Sequence, residues 1–133
     1  MNFTKYFSKG LRNTLRVVNG INFSYKGPWT IVADQIIIDE WHVGDFMSAD
    51  YTISVDFGSY QKEIIKCLVA AGPYTANVTV YGRTTLDLEL ITISANVDSS
   101  RLFLKASPSS PAVSGSKLIF SATYYQTINE LTP

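Results

Sequence analysis

A chain of 133 residues, 46% hydrophobic and 17% charged, is sized for one domain with its own core. Its single cysteine excludes an internal disulfide framework, and no apolar run reaches the roughly 20 residues that a membrane-spanning helix needs. The net charge of zero hides an asymmetry: residues 1–33 carry Lys5, Lys9, Arg12, Arg16 and Lys26 without one acid, leaving six bases against eleven acids after them. A split of this kind concerns partners rather than fold.

Residues 1–29 read as a basic N-terminal arm, distinct from a β-sandwich domain over 30–133. The arm has two local readings. Phe7, Leu11, Leu15 and Val18 recur at helical spacing between a Ser8 cap and a Gly20 stop. Val17-Val18 and Ile21–Tyr25 equally flank an Asn19-Gly20 hairpin turn. Lys26-Gly27-Pro28 closes the segment as a turn. Its basic, acid-free composition also fits an organelle transit peptide, but its presence from Met1 predicts that it is retained, and nothing in it resembles a secretory signal.

From Thr30 onward the pattern predicts strand after strand. Thr30–Asp39 forms the first, around Ile36-Ile37-Ile38, and Trp41–Ser48 is a connection. Tyr51, Ile53, Val55 and Phe57 then alternate with Thr52, Ser54 and Asp56, which marks a strand with one buried face. Gly58 supplies the freedom for a turn at Asp56–Tyr60. The next strand is apolar almost throughout from Ile64 to Ala71, the pattern of a strand covered on both sides.

Gly72-Pro73 breaks the chain, and Thr75–Arg83 alternates again, with Gly82 suited to a bulge. Leu86–Val97 follows, then a turn at Asp98–Ser100 and a strand at Arg101–Ala106 with Leu102 and Leu104 on one side. A Pro/Ser loop over 107–116 leads to the last strand, Lys117–Tyr125, with Leu118, Phe120 and Ala122 on one face. Short strands at this spacing predict an all-β antiparallel sandwich of about seven to eight strands with an extended N-terminal arm.

Residues with chemistry are sparse. His42 stands near Asp39, Glu40 and Asp45, but a lone imidazole without a second His or Cys is no metal set, and a surface position is expected. Cys67 lies in an apolar strand and is read as a buried small hydrophobe. Asp87 and Glu89 share a face at paired-carboxylate spacing, which a solvated face explains equally well. The expectation is therefore no enzyme, no cofactor and no metal. A pI near 6.5 argues against nucleic acid.

Protein docking by the arm is the expected use of its charge, with Phe3, Tyr6, Phe7, Leu11 and Leu15 as apolar anchors and Arg12 and Arg16 as basic contacts. Trp29, Trp41, Tyr60 and Tyr74 lie in or beside connections, where they form either a glycan-stacking platform or packing against core and interface.

The order Ala33–Asp39, Ser48–Val55, Tyr60–Val69, Val80-Tyr81-Gly82, Leu88–Val97 and Arg101–Pro108 resembles small β-sandwich modules of tailed-phage virion proteins, of the cyanophage and marine-phage type. The resemblance spans roughly residues 33–125. It departs at Ala71-Gly72-Pro73-Tyr74, where such modules often carry a His-Asp/Asn-Gly turn. It implies a non-enzymatic virion protein of the tail, baseplate or neck-fibre region, assembled in the host cytoplasm. The implied partners are copies of itself and other virion proteins, without nucleic acid or membrane. Head decoration is the second expectation and a carbohydrate-binding module the third.

Overall fold

The computed structural model describes residues 13–18, 21–31 and 35–128, with side chains from Lys26 onward. Nine strands are present among them: β1 (Asn13–Val18), β2 (Ile21–Ile31), β3 (Ile36–His42), β4 (Phe46–Asp56), β5 (Lys62–Ala71), β6 (Ala76–Thr85), β7 (Ile91–Asp98), β8 (Arg101–Pro108) and β9 (Ser116–Gln126). They form a six-stranded sheet, ordered β1-β2-β9-β4-β5-β6, and a three-stranded sheet, ordered β3-β8-β7. Every printed strand pair is antiparallel. The expected all-β sandwich is the fold, with one strand more than the upper expectation.

Alternation fixes which face turns inward. Tyr51, Ile53 and Val55 of β4, Leu118, Phe120, Ala122 and Tyr124 of β9, and Leu102, Leu104 and Ala106 of β8 are all buried. They build one core between the sheets, where removal of apolar surface from water is the main stabilising term. The predicted turns form as well: Gly58 has φ 105°, and Ser99 and Ser100 have φ 52° and 62° between the paired residues Asp98 and Arg101.

The structure departs from the sequence reading in five places. Val18 pairs with Ile21, so 13–18 and 21–31 form a hairpin and the helical reading of Leu15 and Val18 fails. β2 then pairs with β9 through Ile31, so a boundary between residues 29 and 30 falls inside a strand. The expected strand Thr30–Asp39 is two strands in different sheets, because Ile31 ends β2 and Ile36 begins β3. Trp41 and His42 end β3 and Phe46 begins β4, leaving only a three-residue turn of the expected connection.

The fifth departure concerns β5. Ile65, Cys67 and Val69 are buried, but Ile64 and Leu68 are 45% and 48% exposed on the outer face. Among the described residues β5 is thus covered on one side, and the apolar run Ile64–Ala71 conceals a simple alternation.

Candidate functional site

The small-sheet edge strand β3 carries a buried charge. Its register to β8 passes from Ile37 opposite Lys105 to Asp39 opposite Leu104, leaving Ile38 as an extra residue. This bulge shifts the alternation by one, so Ile38 and Asp39 both turn inward. The Asp39 carboxylate, fully buried, accepts hydrogen bonds from Tyr51 (2.8 Å), Tyr124 (2.6 Å) and the backbone N–H of Glu40 (3.0 Å), and pairs with Lys26 at 2.5 Å. Trp41 Nε1 donates to the Tyr51 hydroxyl at 3.0 Å. Burial first, and then the Asp39 charge, pushes the Tyr51 phenol well above its ordinary range, so it stays a donor.

A second buried carboxylate holds the other side. Glu63 of β5 pairs with Arg83 of β6 at 2.7 Å and accepts from the backbone N–H groups of Leu90 and Ile91, each at 3.3 Å. Arg83 also donates to the Ile91 carbonyl at 3.1 Å. Here the chain leaves β6 at Thr85 and crosses to the small sheet, so the expected strand Leu86–Val97 begins only at Ile91. Both clusters are sealed by packing and fully partnered; they tie the sheets together rather than present reactive groups.

The remaining chemistry-bearing residues do not converge. His42 is exposed, and its Nδ1 accepts from the Gly44 N–H at 2.9 Å. Asp39 points away from it into the core, while Glu40 pairs with Arg101 at 3.1 Å on the outside. Cys67 is buried, and burial pushes its thiol up to about 12. Asp87 and Glu89 lie outside any strand, one bonded to Gln61 and the other 3.8 Å from Arg83. No group of three or more His, Cys, Asp or Glu suited to a metal occurs among the described residues.

The four aromatics do not make a platform. Trp41 belongs to the core, 4% exposed, stacked edge-on against Phe46. Trp29 is half-buried against the same core. Tyr60 and Tyr74 are exposed at the turns before and after β5, opposite ends of a ten-residue strand roughly 33 Å long. Phe3, Tyr6, Phe7, Leu11 and Arg12 lie outside the described residues; of Leu15 and Arg16 the structure describes only the strand backbone.

The outer face of the large sheet offers a surface that the sequence concealed. Ser54 of β4 stands directly opposite Ile64 of β5 and Ile119 of β9, so a small side chain lies between two exposed large ones. A trough of about 540 Å³ opens there, lined also by Thr84, Leu86, Lys62 and Lys117. Behind Ile119 runs the β2 bulge, where Gly27 (φ 126°) stands so close that a Cβ there would lie 2.8 Å from Ile119 Cγ2. The signal was the interruption of a polar alternation by Ile64 and Ile119, which a reading of β5 as covered on both sides absorbed into the core.

No protein-family model matches this sequence, and no curated protein does. Among solved structures, its fold is similar to part of the tailspike protein gp49 from Acinetobacter baumannii bacteriophage Fri1, a capsular polysaccharide depolymerase. That alignment covers 100% of this chain and 23% of the spike, at 8% identity and a TM-score of 0.52. The tailspike of Acinetobacter phage vB_ApiP_P1 aligns over 87% of this chain and 23% of its own, at 16% identity and a TM-score of 0.47. The chain therefore spans about a quarter of the length of either spike, and at 8% identity the likeness to gp49 is one of fold alone.

Proposed function

We propose that this chain is a non-enzymatic structural subunit of a tailed-phage virion, in the tail, baseplate or neck-fibre region. The segment preceding β1 anchors it to neighbouring subunits. The observation that carries the reading is the fold likeness over the whole chain to one region of a phage tailspike, in line with the sequence resemblance to virion sandwich modules. Two further features support it. The buried carboxylates are committed to holding sheets together, and residues 1–33 hold no acid while the rest of the chain holds eleven acids against six bases.

Because β2 is a strand of the large sheet, the test deletes residues 2–11 and spares every described strand. Particles assembled with the shortened chain are purified and its copy number is measured by quantitative mass spectrometry. Loss of incorporation by a protein with unchanged circular dichroism supports the anchoring role, and undiminished incorporation overturns it. Full-length copy number places the subunit: about six, twelve or eighteen copies fit a tail, baseplate or neck ring, and hundreds indicate head decoration.

A further inference from the structure

We infer that the trough around Ser54 receives the apolar, basic segment that precedes β1, donated by a second copy of this chain. This rests on the anchoring role proposed above and names its receiving surface.

Three observations converge on it. The trough is apolar and concave: Ile64, Ile119 and Leu86 are 45%, 53% and 54% exposed around the small Ser54, and about 540 Å³ is of the size that takes a few large side chains. Residues 1–12 offer such side chains in Phe3, Tyr6, Phe7 and Leu11, and at roughly 3.4 Å per extended residue they reach about 40 Å.

The charges match as well. Lys62 is paired with Asp56, and Arg83 is shared between Glu63 at 2.7 Å and Glu89 at 3.8 Å, which leaves Lys117 in the lining and the exposed Asp87 next to Leu86. The chain that follows Leu86 at the rim is therefore acidic, with two acids, Asp87 and Glu89, against the Arg83 already shared with Glu63, while the segment brings Lys5, Lys9 and Arg12 and no acid.

Position is the third observation. β1 begins level with the trough: Asn13 is opposite Lys26, and Lys26 is opposite Phe120, the neighbour of Ile119. Two copies related by a two-fold axis, large sheets facing, bring each origin to the other's trough, the reciprocal pattern of an isologous contact.

Cysteine cross-linking tests this in the full-length protein. The buried Cys67, with its raised thiol, stays silent while introduced thiols react. Phe7→Cys and Ser54→Cys proteins, made separately and mixed under mild oxidation, are expected to give a covalent heterodimer. Ile64→Asp, placed on the exposed face of β5, is expected to abolish it with an unchanged melting curve.

Absence of the heterodimer overturns the inference. So does a link formed only within the chain of a Phe7→Cys/Ser54→Cys double variant, which would lay the segment on its own sheet. If deletion of residues 2–11 blocks particle incorporation while no cross-link forms, the anchoring role stands and the trough is not its receptor. If deletion leaves incorporation unchanged while the cross-link forms, the anchoring role fails and the trough remains a contact between free copies.

Discussion

Lys26 closes a 2.5 Å ion pair on the fully buried carboxylate of Asp39, joining a strand of the large sheet to an edge strand of the small one. The ammonium is itself only 19% exposed, so neither charge is well hydrated if the other is removed. Tyr51 and Tyr124 complete the carboxylate's shell from β4 and β9.

Asp39→Ala leaves the half-buried Lys26 ammonium and two buried hydroxyls without their acceptor. The expected loss is about 3–5 kcal/mol, the range for removing one partner of a buried pair, read from urea unfolding at neutral pH. An effect below about 1 kcal/mol would mean that the cluster is hydrated rather than sealed.

Glu63→Ala unfastens the crossing from β6 to β7. The Leu90 and Ile91 amides lose their acceptor and Arg83 loses its counter-charge, for an expected cost of about 3 kcal/mol. Hydrogen exchange separates this from a general weakening: those two amides should accelerate more than the amides of β4.

Gly27→Ala places a Cβ 2.8 Å from Ile119 Cγ2 and 2.9 Å from the Leu118 carbonyl oxygen, at a φ of 126°. The expected destabilisation is about 2–3 kcal/mol. Ile119→Ala should not rescue it, because the backbone contact and the dihedral remain.

Asp56 governs an acid-sensitive turn. The Lys62 side chain first, then the Gly58 N–H, hold its carboxyl below the ordinary 3.8. A depressed folded value means that the contribution is present above 3.8 and is lost as pH falls through the lower folded value. NMR titration should show the Gly58 amide shifting with a midpoint below 3.8, and Lys62→Met moving that midpoint upward.

Legibility followed the backbone period. β4, β8 and β9 alternate cleanly, so the sequence groups Tyr51 with Ile53, Leu102 with Leu104 and Leu118 with Phe120 on one face, which is the buried one, and Gly58 and Ser99-Ser100 mark turns. What escaped was whatever broke the period. The bulge at Ile38 moves Asp39 to the inner face, and before that shift the residue reads as an ordinary surface acid. Ile64 and Leu68 read as core because hydrophobicity does not say which face a neighbour will cover. Trp41 looked like a loop aromatic only because its strand was assigned to end at Asp39. Glu63 and Arg83 are twenty positions apart, and only the β5–β6 register brings them together.

The last described strand, β9, lies between β2 and β4 in the large sheet. During synthesis β2 has only β1 beside it and β4 only β5, and each lacks its second neighbour until residues 116–126 have left the ribosome. The N-terminal half must wait with two exposed strand edges, Lys26 and Asp39 already made but not yet held together. Long-range pairing of this kind is slow and leaves nascent chains open to wrong partners. Emergence of residues 116–126 is therefore the event that lets this chain close its large sheet.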